Sequence, residues 1–253
     1  PADARQDALL VCRAIHRAKA ALAADDGEQM QNWSIFWELQ GHEEEMARER
    51  EQDGMRTVIA RALALCGLLP DSLPPAAGSH GGDVVRRTPE DAVRPMLCRF
   101  QCNNFGVVDE LWVTVGAGVY PVGALLNHGC FPNCMATYDT RTLTQVFRCV
   151  RPVAPGEELV HAYTDVAFPT PERRAKLRQI YCFECSCARC LLGSGASPAE
   201  AAAADPSVGA MVMDEDMVRR WRIVDAAARG TNAALMTTDS SEGGGTGSAA
   251  TAT

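Results

Sequence analysis

No apolar run in this sequence reaches the roughly 18 residues that a membrane-spanning helix needs without a Gly or Pro breaking it, which argues against a transmembrane segment. Positive charge is also short: 24 Lys and Arg stand against 32 Asp and Glu, for a formal net charge of −8. That balance disfavours a sequence-independent nucleic-acid binder, because phosphate backbones attract basic surfaces. No signature recurs at a fixed period, so tandem helical repeats are not expected. Gly116-x-Gly118 lacks the third glycine and the following long helix of a nucleotide-binding loop, and reads as turn chemistry. Residue 1 is Pro rather than Met, which reads as a fragment or a processed product of a longer protein.

What is present, at 253 residues with 47% hydrophobic and 22% charged, describes one large domain plus an unstructured end. From Ala4 to Ala24, Leu9, Cys12, Ile15 and Leu22 recur at helical spacing, which predicts an amphipathic helix ending before Asp25-Asp26-Gly27. Trp33, Phe36, Trp37 and Leu39 lead into the charge-dense run Glu43 to Asp53, read as a solvated helix face without chemistry. Met55, Val58, Ile59, Ala62, Leu63 and Cys66 mark a third helix, stopped by Gly67 and Pro70. The stretch 70–87 is rich in Pro, Gly and Ser and reads as an exposed loop. Thr88-Pro89-Glu90-Asp91 then starts a helix, with Thr as N-cap, Pro in the first turn and acids where the helix dipole favours them. Pro95 should kink or shorten it.

Beyond Cys102 the pattern changes to short β segments: Phe105 to Val108, Leu111 to Val115, Met135 to Tyr138, Leu143 to Val150 and Glu158 to Tyr163. Gly and Pro punctuate them, as in a small irregular sheet domain rather than a parallel α/β fold. From Thr237 onward Ser, Gly, Thr and Ala offer too little apolar surface to offset the cost of ordering.

Eleven cysteines is a high count for a chain with no mark of secretion. Cys185, Cys187 and Cys190 place three soft sulfurs within a short span, which suits a zinc ion with thiolates at about 2.3 Å better than disulfides among themselves. Structural zinc sites are normally closed by four protein ligands, so a fourth must come from elsewhere. Cys130 is the best placed, with Cys134 and Cys182 as alternatives. Cys12, Cys66, Cys98, Cys102 and Cys149 lie singly in apolar contexts and read as buried core thiols.

These motifs carry a resemblance. Asn127-His128-Gly129-Cys130-Phe131-Pro132-Asn133, then Gly156-Glu157-Glu158-Leu159 with Tyr163 at its end, then the Cys-x-Cys-x-x-Cys cluster, resemble the SET-domain protein lysine methyltransferases. The likeness is nearest to the SMYD branch, which carries an inserted MYND zinc finger. Asn103-Asn104-Phe105, Gly116-Ala117-Gly118-Val119-Tyr120-Pro121, and Glu172-Arg173-Arg174 ahead of Leu177 and Tyr181 also match the pattern, so the resemblance runs from about Cys102 to Cys190. The family usually has Ser where Gly129 stands and an acidic residue where Phe131 stands. Neither position need supply the methyl-transfer chemistry.

The resemblance implies an α+β fold: a SET-domain β core of short strands with an inserted helical subdomain and a Cys-rich, zinc-binding post-SET segment. It divides the chain into a helical insert over 1–101, a core SET domain over 102–180, the zinc segment over 181–192, and a mostly disordered tail over 193–253 with a candidate helix at 214–229. It implies transfer of a methyl group from S-adenosylmethionine to a lysine of a histone or non-histone protein. Free lysine has a pKa near 10.4, so such a site must favour loss of a proton and then hold the nitrogen still. The resemblance gives the second task to Tyr163, whose phenol stays neutral at pH 7. It assigns Asn103, Asn127, His128, Tyr181 and Phe183 to the cofactor side, and a zinc ion to Cys130, Cys185, Cys187 and Cys190. His161 shares the strand face of Tyr163 but reads as a packed or partly exposed histidine, and Glu157 and Glu158, pointing to opposite faces, do not read as an acid/base pair.

The acidic balance suits a Lys-containing peptide substrate; direct nucleic-acid binding, a membrane and an oligomer are not expected, and the nucleus or cytoplasm is. The family's N-terminal glycine-rich cofactor loop, its MYND finger and its larger C-terminal helical domain are not matched in the sequence, so the alternative is a zinc-stabilised SET-like peptide-binding scaffold that transfers nothing.

Overall fold

A computed structural model of the chain describes residues 4–77, 87–111, 113–139, 141–142 and 144–204, together with 219 and 223. The centre of the expected loop, 78–86, and most of the tail lie outside the described residues. So does the helix expected over 214–229, of which only Arg219 and Ile223 are described, both helical. The chain divides into two compact units: Pro1–Asn127, Cys134–Arg151 and Gln179–Phe183 make the first, and His128–Asn133, Pro152–Arg178 and Glu184–Thr253 the second.

The first unit opens with α1 (Ala4–Ala23), α2 (Gly27–Glu38), α3 (Glu43–Met46), α4 (Arg50–Leu65) and α5 (Pro89–Asn103). Asp26 caps α2 by accepting from the Gln29 amide at 3.1 Å, and Thr88 caps α5 by accepting from the Asp91 amide at 3.1 Å. The core they share runs from Val11, Ile15 and Ala18 of α1 through Trp33, Phe36 and Trp37 of α2 to Ile59 and Leu63 of α4 and Val93, Met96, Leu97 and Phe100 of α5. Phe36 anchors it, 5.1 Å from the Phe100 ring and 5.7 Å from Trp37, at tilted and edge-on angles that suit aromatic pairs. The buried face of α1 is therefore rotated from the expected one: Leu9 and Leu22 are 52% and 50% exposed. Ile15, expected on that stripe, is buried, and Val11 and Ala18 join it in place of Leu9 and Leu22. On α4, likewise, Met55 and Val58 face outward and Ile59 and Leu63 carry the packing.

Pro95 lies inside α5, which is not shortened there and continues to Asn103. The surrounding face is buried, and the Arg99 guanidinium donates to the Pro95 carbonyl at 3.3 Å, so packing outweighs the hydrogen bond that proline removes. The acidic run is not only a solvated face either. Glu43 accepts from Arg99 at 2.5 Å and Asp53 from Arg94 at 2.7 Å, and the Arg99 guanidinium also sits 5.2 Å from the Trp37 ring centroid.

After α5 come β1 (Asn104–Val108) and β2 (Thr114–Val119), antiparallel, with a register shift at Val107/Val108. The Asp109 carboxylate accepts from the amides of Leu111 and Val113 at 2.9 Å each, so the expected strand at Leu111 begins as a turn and the ladder starts at Thr114. Gly116 and Gly118 lie inside β2 rather than in a turn, opposite Val107 and Phe105. A Cβ at Gly118 would meet the Tyr120 ring at 3.2 Å, so the missing side chain makes room for that aromatic. Beyond β3 (Asn127–His128), β4 (Cys134–Asp139) and β5 (Thr144–Cys149) form an antiparallel pair in unbroken register, Cys134 opposite Cys149.

The second unit carries β6 (Val160–His161), which pairs with β3, then α6 (Thr170–Tyr181), whose last turn belongs to the first unit, then α7 (Ala188–Gly193) and α8 (Pro198–Ala204). Only two residues of the expected strand Glu158 to Tyr163 are paired, and β3 has no counterpart among the expected strands. The chain from 193, expected to be mostly disordered tail, carries a further helix at Pro198–Ala204. Ser197 and Glu200 form a capping box, the Ser197 amide and hydroxyl donating to the Glu200 carboxylate at 2.9 and 2.7 Å. Ala201, fully buried, shows that α8 is packed. Among the described residues no helix is long and apolar enough to cross a membrane.

Candidate metal centre and active site

Four sulfurs converge in the second unit. The Sγ atoms of Cys130, Cys185, Cys187 and Cys190 all lie within 4.8 Å of one another, with Cys130 at 3.9 Å from Cys185 and 3.5 Å from Cys190. Sulfurs bound tetrahedrally at about 2.3 Å from zinc stand roughly 3.8 Å apart, so this donor set fits a structural zinc ion. Cys130, Cys185 and Cys190 are buried, and Cys187 is half-buried at the start of α7. Hydrogen bonds among the sulfurs, ahead of burial, push the thiols of Cys130, Cys185 and Cys187 up, while Cys190, accepting from the other three with Arg173 beside it, is held down. Four thiols this close cannot all ionise on their own; a divalent cation supplies the charge that lets them.

The two alternatives weighed for the fourth ligand are placed elsewhere. Cys134 faces Cys149 across a strand pair, and Cys182 packs against Met46, Cys98 and Cys102. Of the thiols expected in the core, Cys98 and Cys102 are buried, whereas Cys12 is half-buried and Cys66 and Cys149 are exposed.

Arg173 surrounds this cluster on its polar side. It is fully buried, and it donates to Cys130 Sγ at 3.3 Å, to Cys190 Sγ at 3.7 Å, to the Thr170 hydroxyl at 3.0 Å and to the Phe168 carbonyl. A zinc ion held by four thiolates would carry a net charge of about −2, which a buried guanidinium would partly offset while its fork held the sulfurs in place. Arg174 donates to the Cys185 carbonyl at 2.9 Å and Arg189 to the Cys130 carbonyl at 3.3 Å, fixing the backbone at two of the four cysteines. The sequence signal for Arg173 is its spacing: it stands four residues before Leu177, also fully buried, where an apolar residue would ordinarily sit.

A second network positions Tyr163. Ala154-Pro155-Gly156-Glu157 forms a tight turn, closed by the Glu157 amide donating to the Ala154 carbonyl at 3.0 Å, with Gly156 at φ +84 where a side chain would be strained. The fully buried Asn133 then clamps the following segment, donating to Glu157 Oε1 at 3.1 Å and the Glu158 carbonyl at 2.7 Å and accepting from the Val160 amide at 2.8 Å. Asn133 had no role assigned by the sequence beyond its place in the motif. Glu157 accepts from the Asn133 side chain and from the Ala154 amide. Both glutamates precede β6 rather than lying on it. Gly129 packs on this segment, its amide donating to the His161 carbonyl at 3.0 Å. A Cβ there would come within 2.8 Å of Val160 Cγ2, which accounts for the glycine where the family usually has serine.

Tyr163 sits half-buried between two imidazoles, its ring centroid 5.3 Å from His128 and 4.8 Å from His161. Its amide donates to His128 Nδ1 at 3.0 Å, and His128 Nε2 lies 3.2 Å from Cys130 Sγ. Burial pushes the His128 pKa down to about 4 and also lowers that of His161. His161 is buried. The other residues assigned to the cofactor side, Asn103, Asn127, Tyr181 and Phe183, belong to the first unit. There Asn103 donates its amide to the carbonyls of Gln40 and Arg99 at 2.9 and 2.8 Å, and burial pushes the Tyr181 hydroxyl up.

Comparison with known proteins bears on this arrangement. Residues 17–164, more than half of the chain, match the SET domain family. The chain belongs to the SET-domain family. The match takes in α2 to α5 as well as the short strands, so this SET domain mixes helices with small sheets. The chain is similar to histone-lysine N-methyltransferase SMYD3 of Mus musculus, 44% identical over 89 residues, which is 35% of this chain and 20% of that protein. It is similar to N-lysine methyltransferase SMYD2-B of Danio rerio, 37% identical over 99 residues, 39% of this chain and 22% of the relative. To N-lysine methyltransferase SMYD2 of Homo sapiens it is 38% identical over 100 residues, 40% of this chain and 23% of the relative. The matched region thus spans about a fifth of the length of these relatives, and the likeness to the SMYD branch read from the motifs holds.

Proposed function

We propose that this chain is part of a protein-lysine N-methyltransferase that moves a methyl group from S-adenosylmethionine to a lysine of a histone or non-histone protein. The observation that carries the reading is the placement of Tyr163 at the end of a clamped Gly156-Glu157-Glu158 segment, its amide held by His128. The cofactor, when bound, supplies an electrophilic methyl carbon on a sulfonium. The residues of this chain have three tasks. The Tyr163 phenol orients the neutral lysine amine, as a donor or acceptor that stays uncharged at pH 7. Asn103, Asn127, His128, Tyr181 and Phe183 are assigned to the cofactor by the family resemblance, His128 through its backbone because both of its ring nitrogens are engaged. Cys130, Cys185, Cys187 and Cys190 hold a structural zinc ion that neutralises them and pins their two segments together.

In this reading helices α1 to α5 are the inserted subdomain of the SET fold, and the enzyme works in the nucleus or cytoplasm. The names of the relatives, all lysine methyltransferases, favour this over a scaffold that transfers nothing. The test is transfer of labelled methyl groups from S-adenosylmethionine to histone and non-histone proteins, mapped to lysine by mass spectrometry, with the chain and its Tyr163→Phe variant side by side. The expected result is lysine labelling that falls by at least about 100-fold in the variant, with unfolding temperature unchanged. Equal labelling by both would overturn the role of Tyr163, and no labelling by either in the full-length protein would overturn the function.

A further inference from the structure

The first unit contains a second pair of close thiols, separate from the metal cluster. Cys134 opens β4 and Cys149 closes β5, and the ladder sets them directly opposite each other with Sγ atoms 4.0 Å apart. Cys149 is exposed, while Cys134 is only 2% exposed. Neither belongs to the four sulfurs that fit zinc. The pair thus joins a thiol that solvent reaches to one that solvent does not, held by a sheet rather than by a flexible loop.

We propose that Cys134 and Cys149 form a peroxide-sensitive dithiol that closes reversibly to a cross-strand disulfide. The oxidant is hydrogen peroxide or another hydroperoxide. The exposed Cys149 sulfur, as thiolate, attacks the terminal peroxide oxygen; the O–O bond breaks and the departing oxygen takes a proton and leaves as water, or as the alcohol from an organic hydroperoxide, giving a sulfenic acid. Cys134, its thiol proton lost, then attacks the Cys149 sulfur. The S–S bond forms, the S–O bond breaks, and the hydroxyl leaves with a proton as water. Two thiols are oxidised and one peroxide is reduced. The positive charge of Arg151 partly offsets the burial that pushes the Cys134 thiol up, and so favours that attack.

The geometry also makes the bond reversible. Cβ atoms directly opposite each other on antiparallel strands stand about 4.5–5.5 Å apart, whereas a disulfide wants about 3.5–4.5 Å. Closure therefore draws the two strand ends together, which the end of a ladder permits, and leaves a bond that an ordinary thiol such as glutathione reduces. Once closed, it ties the register of β4 to β5 immediately after Asn133 in the chain.

Peptide mapping of the zinc-loaded protein after exposure to a few equivalents of hydrogen peroxide tests this. The expected product is a linked pair of peptides carrying Cys134 and Cys149, released by glutathione. Cys149→Ser should abolish the link. Cys134→Ser should leave Cys149 as a sulfenic acid trapped by dimedone, while circular dichroism confirms that both variants fold. The proposal is overturned if wild-type Cys149 advances to a sulfinic acid or a mixed disulfide while Cys134 stays free to alkylate. It is equally overturned if either thiol links instead to Cys130, Cys185, Cys187 or Cys190.

Discussion

The Tyr163 amide donates to His128 Nδ1 at 3.0 Å, so that nitrogen is an acceptor and carries no proton. With the pKa of the ring pushed down to about 4 by burial, His128 is neutral near pH 7 and its remaining proton sits on Nε2, which lies 3.2 Å from Cys130 Sγ. One imidazole thus joins a candidate zinc ligand to the backbone of the candidate catalytic tyrosine. His128→Ala removes both hydrogen bonds. A lost bond costs about 1 kcal/mol, so loss of the one that holds Tyr163 should lower methyl transfer by roughly fivefold, measured as kcat under saturating cofactor and peptide. An unchanged kcat would separate the metal site from Tyr163.

The buried Arg173 should matter to the metal rather than directly to the chemistry. Arg173→Met removes its contacts to Cys130 and Cys190, and groups that hold metal ligands typically contribute about 10–100-fold in affinity. Competition with a chromophoric chelator should show a zinc affinity weaker by that factor. Arg173→Lys, which keeps the charge and loses the fork, should fall between the two.

Asn133 makes three hydrogen bonds with no exposed surface, so Asn133→Ala leaves buried partners unsatisfied. The expected loss of stability is about 2–4 kcal/mol, read from the urea midpoint at unchanged m-value. Asn133→Asp should be no better, because it cannot donate to the Glu158 carbonyl and sets a second carboxylate beside Glu157.

Gly129→Ser restores the residue the family usually has, yet it should destabilise this chain. The new Cβ would stand 2.8 Å from Val160 Cγ2, an overpacking worth about 1–3 kcal/mol. Adding Val160→Ala should recover part of that loss in thermal unfolding. Additive losses in the double variant would mean the two positions do not touch.

Much of the site was legible in the sequence because its chemistry depends on spacing. Cys185, Cys187 and Cys190 are close enough in the chain to suggest one ion on their own. Cys130, 55 residues before Cys185, could be joined to them only through the motif around it, and Cys134 and Cys182 stayed open until the fold separated them. Arg173 and Asn133 were not legible as structural centres. Residue pattern shows which side chains are apolar, but it does not show which polar ones are buried with every partner satisfied. The rotated face of α1 has a related cause: an Ala-rich helix offers overlapping apolar stripes, and only the neighbouring helices select Val11 and Ala18 beside Ile15 over Leu9 and Leu22. The glycines of β2 read as a turn because their role beside Tyr120 is set by a ring packed against the strand.

The convergence of Cys130 with the distant trio Cys185, Cys187 and Cys190 on one ion is tested most directly by X-ray absorption at the zinc edge, on the zinc-loaded protein and its Cys130→Ser variant. The wild type should bind one zinc per chain with four sulfurs at about 2.3 Å, and the variant should drop to three sulfurs or lose the metal. An unchanged four-sulfur shell in Cys130→Ser, or a wild-type shell dominated by nitrogen or oxygen, would contradict the account.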